Sequence, residues 1–415
     1  MKKKILVIGI VSMFLLTSAV SLSAGETIIA NDDGDYTPHD NIMIDGDDDF
    51  TSENGVTGGS GTEEDPYIIE GWEVETILIR FTTAYFIIRD CFVDLKKDYI
   101  LSALGFIDVS NGIVYNCTIS GDEHDGIFLD LSNNCLIDYC TISSDGRGIE
   151  IHNSQDNVVS NCDVYNCHIG ILIWDLKEGP ISTNNEIYGC DIWSCSCGFE
   201  IRTPGNKIHH NNLFRNCDNI RFLLDDYEPK NQLDDGLGEG NYWDDYTGKD
   251  DNGDGIGDTP LVFRDLPWRK IAEDRWPLMK AWGKESEPPN KPTIDGPATG
   301  KPREKYYFSV VTTDPDGHAM KYGLDWNDDG KVDKWTRSKY YESGEIAEVN
   351  HTWNWRGTYK IRVIAKDMYG YKSDWSDPLT VIMPRNKAVH NTLFLKLLEH
   401  FPMLERLLTN FFVIR

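Results

Sequence analysis

Basic residues are scarce in this chain of 415 residues. It has 40 Lys and Arg against 68 Asp and Glu, which gives a formal net charge of −28. A surface this acidic repels phosphate groups, which argues against nucleic acid and anionic lipid as partners. The charge suits a secreted protein that binds divalent cations, or one from a saline environment. It also suits a protein whose acidic surface only keeps it soluble.

Long apolar runs are absent except at the start of the chain. Residues 5–20 are apolar, residues 2–4 are all Lys, and small residues follow up to Ala24. This order is typical of a secretory signal peptide. A membrane helix needs about 20 apolar residues, and no other stretch comes close. No Cys follows the run, so a lipoprotein anchor is not expected. We predict cleavage near Ala24 and a protein that is secreted or held at the cell surface.

A 3.6-residue apolar stripe, the signature of helices, is absent from the middle of the chain. A short phrase recurs there instead, in which a glycine precedes alternating apolar residues, as in Gly148-Ile149-Glu150-Ile151. The copies begin at Gly105, Gly126, Gly148, Gly170, Gly198 and, with Asn in place of Gly, at Asn219. A second column has nearly the same spacing and consists of Cys91, Cys117, Cys140, Cys162, Cys190 and Asn211. Both columns contain one step of 28 residues, so one insertion near residues 174–180 explains both.

Repetition with a period of about 20 to 30 residues indicates a solenoid, in which each unit buries its apolar face against its neighbours. The alternation of apolar residues and the abundance of β-branched residues favour strands within each unit. Turns rich in Asn, Gly, Ser and Asp separate these strands. The sequence therefore predicts an all-β chain with a parallel β-helix whose Ile, Val, Leu and Cys point inward. A leucine-rich horseshoe is the alternative, but the chain lacks a Leu-x-x-Leu-x-Leu frame and helical segments.

Cysteine is absent outside residues 91–217, whereas ten cysteines occur within that range. Disulfides are common in exported proteins, so a disulfide interpretation of these cysteines has to be considered. Side chains that stack on parallel strands point the same way, which makes the Cβ geometry of a disulfide awkward. We favour buried free thiols that act as small apolar side chains. One or two disulfides, or a soft-metal site, remain as alternatives.

Two Asp-rich loops carry the most specific chemistry in the sequence. Each places side-chain oxygens at loop positions 1, 3, 5 and 9 and a glycine at position 6, as in the first half of a calcium loop. Neither has Glu at position 12, so helix-loop-helix EF-hands are not expected. We predict short Ca²⁺ loops with a structural role, and the alternative is a turn that binds nothing. The predicted ligands are Asp250, Asn252, Asp254 and Asp258 in the first loop and Asp325, Asn327, Asp329 and Asp333 in the second.

Three phrases resemble the NosD-type right-handed β-helix proteins. They are the closing segment at residues 240–260, the Pro-Leu-Met stop at 275–279 and the opening segment at 65–72. The resemblance covers roughly residues 42–283. It implies an exported right-handed parallel β-helix of the carbohydrate-binding and sugar-hydrolase superfamily. The family also carries a copper-binding label, which the scattered Met and His residues of this chain do not support.

The chain changes in character after a proline-rich linker at residues 284–292. Residues 293–384 alternate apolar and polar residues and predict a β-sandwich. This segment resembles immunoglobulin-like and PKD-type modules, which implies a spacer or adhesion role. Residues 385–415 have the pattern of an amphipathic helix that docks on the sandwich, on the envelope or on an anchoring partner. Membrane contact is expected only through this tail. Before the linker, we assign residues 1–24 to the signal peptide, 25–84 to an N-terminal segment and cap, and 85–283 to the β-helix.

Two functions follow from these predictions. The first is a non-catalytic surface protein that binds a polysaccharide, a surface glycan or envelope proteins, with Trp174, Trp193, Tyr242 and Trp243 as the candidate contact residues. The second is a polysaccharide lyase, hydrolase or C5-epimerase that acts on acidic polysaccharide. Its candidate acid, base and electrostatic groups are Asp122, His124, Asp125 and Arg147. The segment around Asp122 faintly resembles a motif of mannuronan C5-epimerases, although Glu123 replaces its proline. A solvated turn with one ion pair is the simpler alternative.

Overall fold

The computed structural model describes residues 36–96, 102–122, 124–176, 181–223, 230–266, 269–336 and 340–384. The chain forms two compact units. The first ends at Leu278 and includes residues 282–285, and the second comprises Met279–Ala281 and the residues from Ser286 onward. Across these ranges the chain contains strands and two 3₁₀ helices, Asp47–Asp49 and Ser52–Asn54. None of the described helices has the length and apolar character that crossing a membrane requires.

The first unit is a parallel β-helix built from three sheets. The first sheet contains β1 (Thr37–Pro38), β5 (Trp72–Val74), β8 (Phe92–Asp94), β11 (Thr118–Ser120), β14 (Thr141–Ser143), β17 (Asp163–Tyr165), β20 (Asp191–Trp193), β23 (Asn212–Phe214) and β25 (Tyr242–Trp243). The second contains β3 (Val56–Gly58), β4 (Tyr67–Glu70), β7 (Phe86–Arg89), β10 (Gly112–Tyr115), β13 (Leu136–Asp138), β16 (Val158–Ser160), β19 (Glu186–Tyr188) and β22 (Lys207–His209). The third contains β2 (Ile42–Asp45), β6 (Ile77–Thr82), β9 (Ser102–Val109), β12 (Asp125–Asp130), β15 (Arg147–His152), β18 (Ile169–Trp174), β21 (Cys197–Ile201) and β24 (Asp218–Phe222).

Each coil passes through the second, first and third sheets in turn, and equivalent strands of successive coils pair in parallel. Because side chains alternate across a strand, one residue in two points into the helix and stacks on its equivalent in the next coil. On the third sheet one such ladder consists of Ile127, Ile149, Ile171, Phe199 and Ile220. Its first four members have no exposed surface. Burial of these ladders is the main source of stability for the fold.

Buried polar ladders line the turns between the sheets. Asn157, Asn185 and Asn206 have no more than 1% exposed surface, and each side-chain oxygen accepts the backbone N–H of the equivalent residue in the preceding coil at 2.9–3.0 Å. The amide groups also bond to one another at 3.0–3.1 Å. These bonds satisfy backbone groups of the turns that are not hydrogen-bonded within either sheet. A turn can be buried only when such groups have partners. Asn211 and Asn241 continue the cysteine column in the same way, with the Asn211 N–H donating to Asn241 at 3.1 Å.

The strand register confirms the cysteine column and the 28-residue step. The residue that follows each of Cys117, Cys140 and Cys162 pairs with the residue that follows the next cysteine of the column. Ile171 pairs with Phe199, which lies 28 residues further along the chain. All ten cysteines are free thiols, and nine of them are buried. Burial raises the pKa of Cys135 to about 12, so this thiol is held in its neutral form.

The glycine column needs one correction. Gly126, Gly148, Gly170, Gly198 and Asn219 are in register, but Gly105 pairs with Phe128 rather than with Gly126, so Ala103 occupies the equivalent position. Glycine occupies these positions because the backbone of the next coil approaches them closely. A Cβ on any of the four in-register glycines would lie 2.6–2.7 Å from the carbonyl oxygen of the next coil. Asn219 is tolerated because no further strand of this sheet follows it.

The strands of the β-helix begin at Thr37, inside the segment that the sequence assigns to an N-terminal cap. At the other end, β25 closes the first sheet and an antiparallel hairpin follows, β26 (Leu261–Leu266) with β27 (Arg269–Asp274). Asp274 is fully buried and accepts hydrogen bonds from the Asn241 N–H and the Trp243 indole at 2.8 Å. Its burial raises its pKa to about 6.

The second unit is the predicted β-sandwich. One antiparallel sheet contains β28 (Thr293–Asp295), β29 (Tyr306–Val311) and β32 (Ala347–His351). The other contains β30 (Met320–Asp325), β31 (Lys334–Trp335), β33 (Gly357–Asp367) and β34 (Leu379–Met383). Their inner faces share one core that includes Phe308, Tyr322, Val363 and Val381. The predicted signal peptide and the predicted C-terminal amphipathic helix lie outside the described residues.

Candidate functional site

The outer face of the third sheet brings together several ionisable side chains. Inward residues of β15 are Ile149 and Ile151, so Glu150 and His152 project from the opposite face. The register aligns Glu150 with Phe128 and Leu172, and aligns His152 with Asp130 and Trp174. We call Asp125, Arg147, Glu150, His152 and Trp174 the outer-face cluster.

Arg147 joins two carboxylates of the outer-face cluster. Its Nη1 lies 3.3 Å from Asp125 Oδ2 and 3.2 Å from Glu150 Oε2. Its backbone N–H donates to Asp125 Oδ1 at 2.9 Å. The Trp174 indole N–H donates to Glu150 Oε1 at 2.5 Å, so both oxygens of this carboxyl group have partners. Glu150 is only 3% exposed, whereas the Arg147 side chain is 43% exposed.

Among these groups, Glu150 is the strongest candidate for a chemical role, because its carboxyl group gains and loses its proton near pH 7. Burial, followed by a hydrogen bond with the Asp125 carboxyl group, raises the pKa of Glu150 from 4.5 to about 7. The Trp174 N–H and the Arg147 guanidinium act in the opposite direction. A carboxyl group that exchanges its proton near pH 7 beside a second carboxylate is suited to general acid–base chemistry.

Further guanidinium groups continue along the same face. Arg202 and Arg221 both pair with Glu200, which is 2% exposed and aligns with Glu150 through Leu172. The Arg221 Nη1 lies 3.3 Å from Glu200 Oε2, and the Arg202 Nε lies 2.8 Å from Glu200 Oε1. The two Arg side chains are 41% and 45% exposed, so their remaining N–H donors reach solvent. Together with Arg147 they place three half-exposed guanidinium groups on one face of one sheet.

The structure separates the four predicted catalytic residues into two pairs. Asp125 and Arg147 meet in the outer-face cluster, as the glycine register predicts. Asp122 and His124 lie in the preceding turn, where the Asp122 carbonyl accepts the Asp145 N–H at 2.7 Å and the His124 carbonyl accepts the Ser144 hydroxyl. In the ranges that the structure describes, neither of their side chains forms a hydrogen bond or ion pair with Arg147. The structure thus brings together Asp125 and Arg147 but not all four predicted residues, and their predicted catalytic role stays a prediction.

The sequence reasoning missed Glu150 and His152. They occupy the outward positions of the repeated phrase, which in other copies hold charged as well as apolar residues, among them Asp130, Leu172, Glu200 and Arg221. Glu150 therefore does not stand out in the linear pattern. His152 lies 2.9 Å from Asp130 and stacks on the Trp174 ring at 4.1 Å.

The four predicted aromatic contacts lie in three different environments. Trp174 belongs to the outer-face cluster, with His152 against its ring and the Arg202 guanidinium 5.9 Å from its centroid. Trp193 lies on the outer face of the first sheet, stacked between Tyr165 and Phe214. Tyr242 and Trp243 are each 1% exposed in the closing segment. These last two are therefore packing residues, because a buried ring cannot stack on an external sugar.

The two predicted calcium loops have the same internal hydrogen bonds. The carboxylate of Asp250 accepts three backbone N–H groups at 2.7–3.2 Å, and the N–H of the next residue donates to Asp258 at 2.6 Å. The carboxylate of Asp325 accepts four at 2.7–3.3 Å, and the N–H of the next residue donates to Asp333 at 2.8 Å. In both loops the first and ninth residues are thus drawn together, which suits a hard cation with oxygen ligands.

Another oxygen-rich cluster lies in the second unit. Asp314, His318 and Asp367 could hold a metal ion, and both Asp residues are buried. The Ser286 hydroxyl donates to Asp367 at 2.8 Å. Asp314 Oδ2 has no hydrogen-bond partner within the described part of the chain. Burial, opposed by the Ser286 hydrogen bond, raises the pKa of Asp367.

A cavity of about 650 Å³ opens at the N-terminal end of the β-helix. Most of its lining side chains are exposed, and exposed carboxylates remain well solvated. We therefore place the candidate site on the third sheet rather than here. The lining residues are Pro38, His39, Asp40, Asn41, Glu73, Val74, Glu75, Asp94 and Lys96.

Comparisons with known proteins agree with the fold. A family model described as a right handed beta helix region matches residues 102–235. The first unit is therefore a right-handed parallel β-helix, as the sequence predicts. No curated protein matches the chain.

Two solved structures are similar to parts of the chain. One is the PKD domain of an M14-like peptidase from Thermoplasmatales archaeon SCGC AB-540-F20, with 40% identity, a TM-score of 0.22 and coverage of 24% of this chain and 100% of that domain. The other is the A-module of the Azotobacter vinelandii mannuronan C-5 epimerase AlgE6, with 11% identity and a TM-score of 0.28. That match covers 40% of this chain and 62% of the module.

Proposed function

We propose that this protein is exported and binds an acidic polysaccharide along the outer face of the third sheet. The observation that carries the proposal is the row of three half-exposed guanidinium groups, Arg147, Arg202 and Arg221. Each is held in place by a buried carboxylate, so little side-chain entropy is lost when it binds. Guanidinium groups bind carboxylates through paired N–H donors, which suits uronate residues.

The position of this row matters because the rest of the protein is strongly acidic. A net charge of −28 repels an anionic polymer from most of the surface. With Glu150 protonated, the three guanidinium groups on this face are balanced by the carboxylates of Asp125, Glu200 and Asp218. These six side chains then carry no net charge. Neighbouring strands are roughly 4.8 Å apart, which is close to the length of one sugar in an extended polymer.

Affinity electrophoresis in gels that contain polyuronate tests the binding proposal. We expect the wild type to be retarded and Arg221→Gln to lose most of the retardation, at least about tenfold in apparent affinity, because one charge-assisted contact is worth roughly 1.5–3 kcal/mol. Arg89→Gln is the matched control, since Arg89 pairs with Glu70 on the outside of the second sheet. Equal retardation of Arg221→Gln and the wild type would contradict the proposal.

A second candidate function is catalysis on the same polysaccharide, and the shifted pKa of Glu150 favours it. Glu150 would donate or accept a proton, Asp125 would share that proton, and Arg147 would stabilise negative charge that develops beside them. Incubation of the protein with a polyuronate in solution tests this candidate, because catalysis yields unsaturated products, new reducing ends or epimerised residues. Product formation by the wild type that is lost in Asp125→Ala would establish catalysis. Binding without product would leave the non-catalytic function.

We also propose that both Asp-rich loops bind Ca²⁺ and stiffen the unit that contains them. The support is the shared arrangement of Asp250 and Asp325, whose carboxylates organise each loop around its ligand oxygens. In the free protein these acidic residues repel one another, and a divalent cation relieves that repulsion.

Removal of calcium is expected to lower the melting temperature of each unit. At a free Ca²⁺ concentration of 100 times Kd, one site stabilises the folded state by about 2.7 kcal/mol. Differential scanning calorimetry with Ca²⁺ and with EGTA measures the effect. Asp254→Asn is expected to abolish the calcium shift of the first unit only, and Asp329→Asn that of the second unit only. An EGTA scan that superimposes on the Ca²⁺ scan would rule out the loops as calcium sites.

The proposed setting is the cell surface. The basic-apolar-small pattern of residues 1–24 supports export, and the phrases at 240–260 and 275–279 support a NosD-type β-helix. We propose that the β-sandwich is a PKD-like spacer that presents the β-helix. Its support is the Asp314-Pro315-Asp316-Gly317 turn and the two-sheet core. Attachment through the C-terminal tail to an envelope partner remains part of this proposal.

A further inference from the structure

A further group of possible metal ligands in the first unit lies away from the outer-face cluster, at the last corner of the second sheet. His209 ends β22 and His210 forms the bend into β23. The bend has a positive φ of 57° at His210. Equivalent bends in earlier coils contain Asn116, Tyr139 and Asn161, also with positive φ. The bend thus accepts several residue types, His among them, and its geometry does not require His210.

The two rings form a continuous chain of contacts between two carboxylates. His209 Nε2 lies 3.2 Å from Glu186 Oε1, the two Nδ1 atoms are 2.8 Å apart, and His210 Nε2 lies 3.0 Å from Glu239 Oε2. Each of these three contacts needs one hydrogen between its two electronegative atoms. Two neutral imidazole rings supply only two hydrogens. The third contact therefore needs either one added proton or a metal cation between its two atoms.

The His210–Glu239 contact is the place where a cation fits. Ligand atoms of His210, Asp235 and Glu239 lie within 4.8 Å of one another. Asp235 is held there by three backbone N–H groups, from residues 237–239, at 2.7–3.0 Å. Asp235 and Glu239 together carry two negative charges, whereas Lys207 already pairs with Glu186 at 3.0 Å. A divalent cation balances this charge, which a single added proton does not.

We propose that His210, Asp235 and Glu239 bind a borderline divalent transition metal, of which Zn²⁺ is the representative. Imidazole nitrogen and carboxylate oxygen are both ligand types that zinc takes, and three protein ligands leave a fourth coordination position for water. His210 then donates its Nδ1–H to His209, which donates its Nε2–H to Glu186. Such a relay fixes the tautomer and orientation of a metal-bound histidine. His209 and Glu186 are positioning residues in this arrangement.

Zinc titration of the EDTA-treated protein tests the site, with calorimetry for affinity and thermal unfolding for linkage. Three variants are informative: His210→Asn keeps a residue that the bend tolerates, Glu239→Gln supplies the missing hydrogen without a metal, and His168→Asn is an exposed control. We expect one Zn²⁺ per chain, a Zn²⁺-dependent rise in melting temperature, and at least about tenfold weaker binding in the first two variants. His168→Asn is expected to bind like the wild type.

Two outcomes would overturn the proposal. The first is a wild type whose melting temperature does not respond to Zn²⁺, which would mean that a proton alone completes the chain of contacts. The second is unchanged binding in both His210→Asn and Glu239→Gln, which would place the zinc elsewhere. Cys217 is the exposed cysteine, so all variants are compared in a Cys217→Ser background. Neither outcome depends on whether polysaccharide binds to the third sheet.

Discussion

Glu150→Gln is expected to make the β-helix more stable at pH 8 and to leave it unchanged at pH 4.5. Gln has nearly the same shape as a protonated Glu, and its amide can still donate to Asp125 and accept from Trp174. The wild-type side chain has a pKa of about 7 in the folded protein against 4.5 when solvated. A carboxyl group with a raised folded pKa favours the fold at low pH, and this contribution is lost as the pH rises through the folded value.

The stability of the wild type should therefore fall between about pH 4.5 and 7, and the variant should lack this part of the fall. A shift of this size corresponds to about 3 kcal/mol, or roughly 6–12 °C in melting temperature for a unit of this length. Asp163 and Asp274, whose burial raises each pKa to about 6, add a decline that is common to both proteins. Scanning calorimetry of both proteins from pH 4.5 to 8 isolates the contribution of Glu150.

Glu200→Gln is the matched control for this experiment. Glu200 aligns with Glu150 on the same face and is equally buried, but it pairs with two guanidinium groups. Its replacement removes the carboxylate that pairs with Arg202 and leaves Arg221 with Asp218 alone, so we expect a lower melting temperature at pH 7. Parallel pH curves for the wild type and Glu150→Gln would show that the outer-face cluster does not hold a proton near neutrality.

Asn185→Leu is expected to destabilise the β-helix by about 3–5 kcal/mol. Asn185 has no exposed surface, and its Oδ1 accepts from both the N–H and the side-chain amide of Asn157 at 3.0 and 3.1 Å. Its Nδ2 donates to the Ser154 carbonyl and to Asn206 at 3.0 Å. Leucine fills nearly the same volume but leaves these groups buried without partners. Each such group costs about 1–3 kcal/mol.

Urea unfolding of the purified protein measures this loss, and Ile187→Val is the matched control. Ile187 lies in the same coil and is also fully buried, but the change removes only one methyl group. We expect the control to cost about 0.5–1.5 kcal/mol. A smaller loss for Asn185→Leu than for Ile187→Val would mean that the Asn ladder contributes little to the stability of the turns.

The sequence was sufficient to predict the β-helix because its constraints repeat. The cysteine column is correct because every member occupies the same buried position in its coil. The glycine column is correct from Gly126 onward because the next coil leaves no room for a Cβ there. It fails at Gly105, where the preceding coil differs in length, and spacing alone cannot show that Ala103 takes the equivalent place.

The candidate site was predicted less completely because it depends on side chains that do not repeat. Asp125 and Arg147 were identified since they adjoin the glycine column, whose register places them in neighbouring coils. Glu150 was overlooked because its pKa follows from burial and from contact with Asp125, and neither is visible in a linear pattern. The zinc proposal depends on His210 meeting Glu239 across 29 residues, which only the three-dimensional structure shows.

A crystal structure of the protein with a bound polyuronate oligosaccharide tests the central claim most directly. The account predicts sugar density across β15, β18, β21 and β24, with uronate carboxylates within hydrogen-bond distance of Arg202 and Arg221. Density on the Tyr165–Trp193–Phe214 stack of the first sheet instead, with the guanidinium groups still bound only to their own carboxylates, would contradict it.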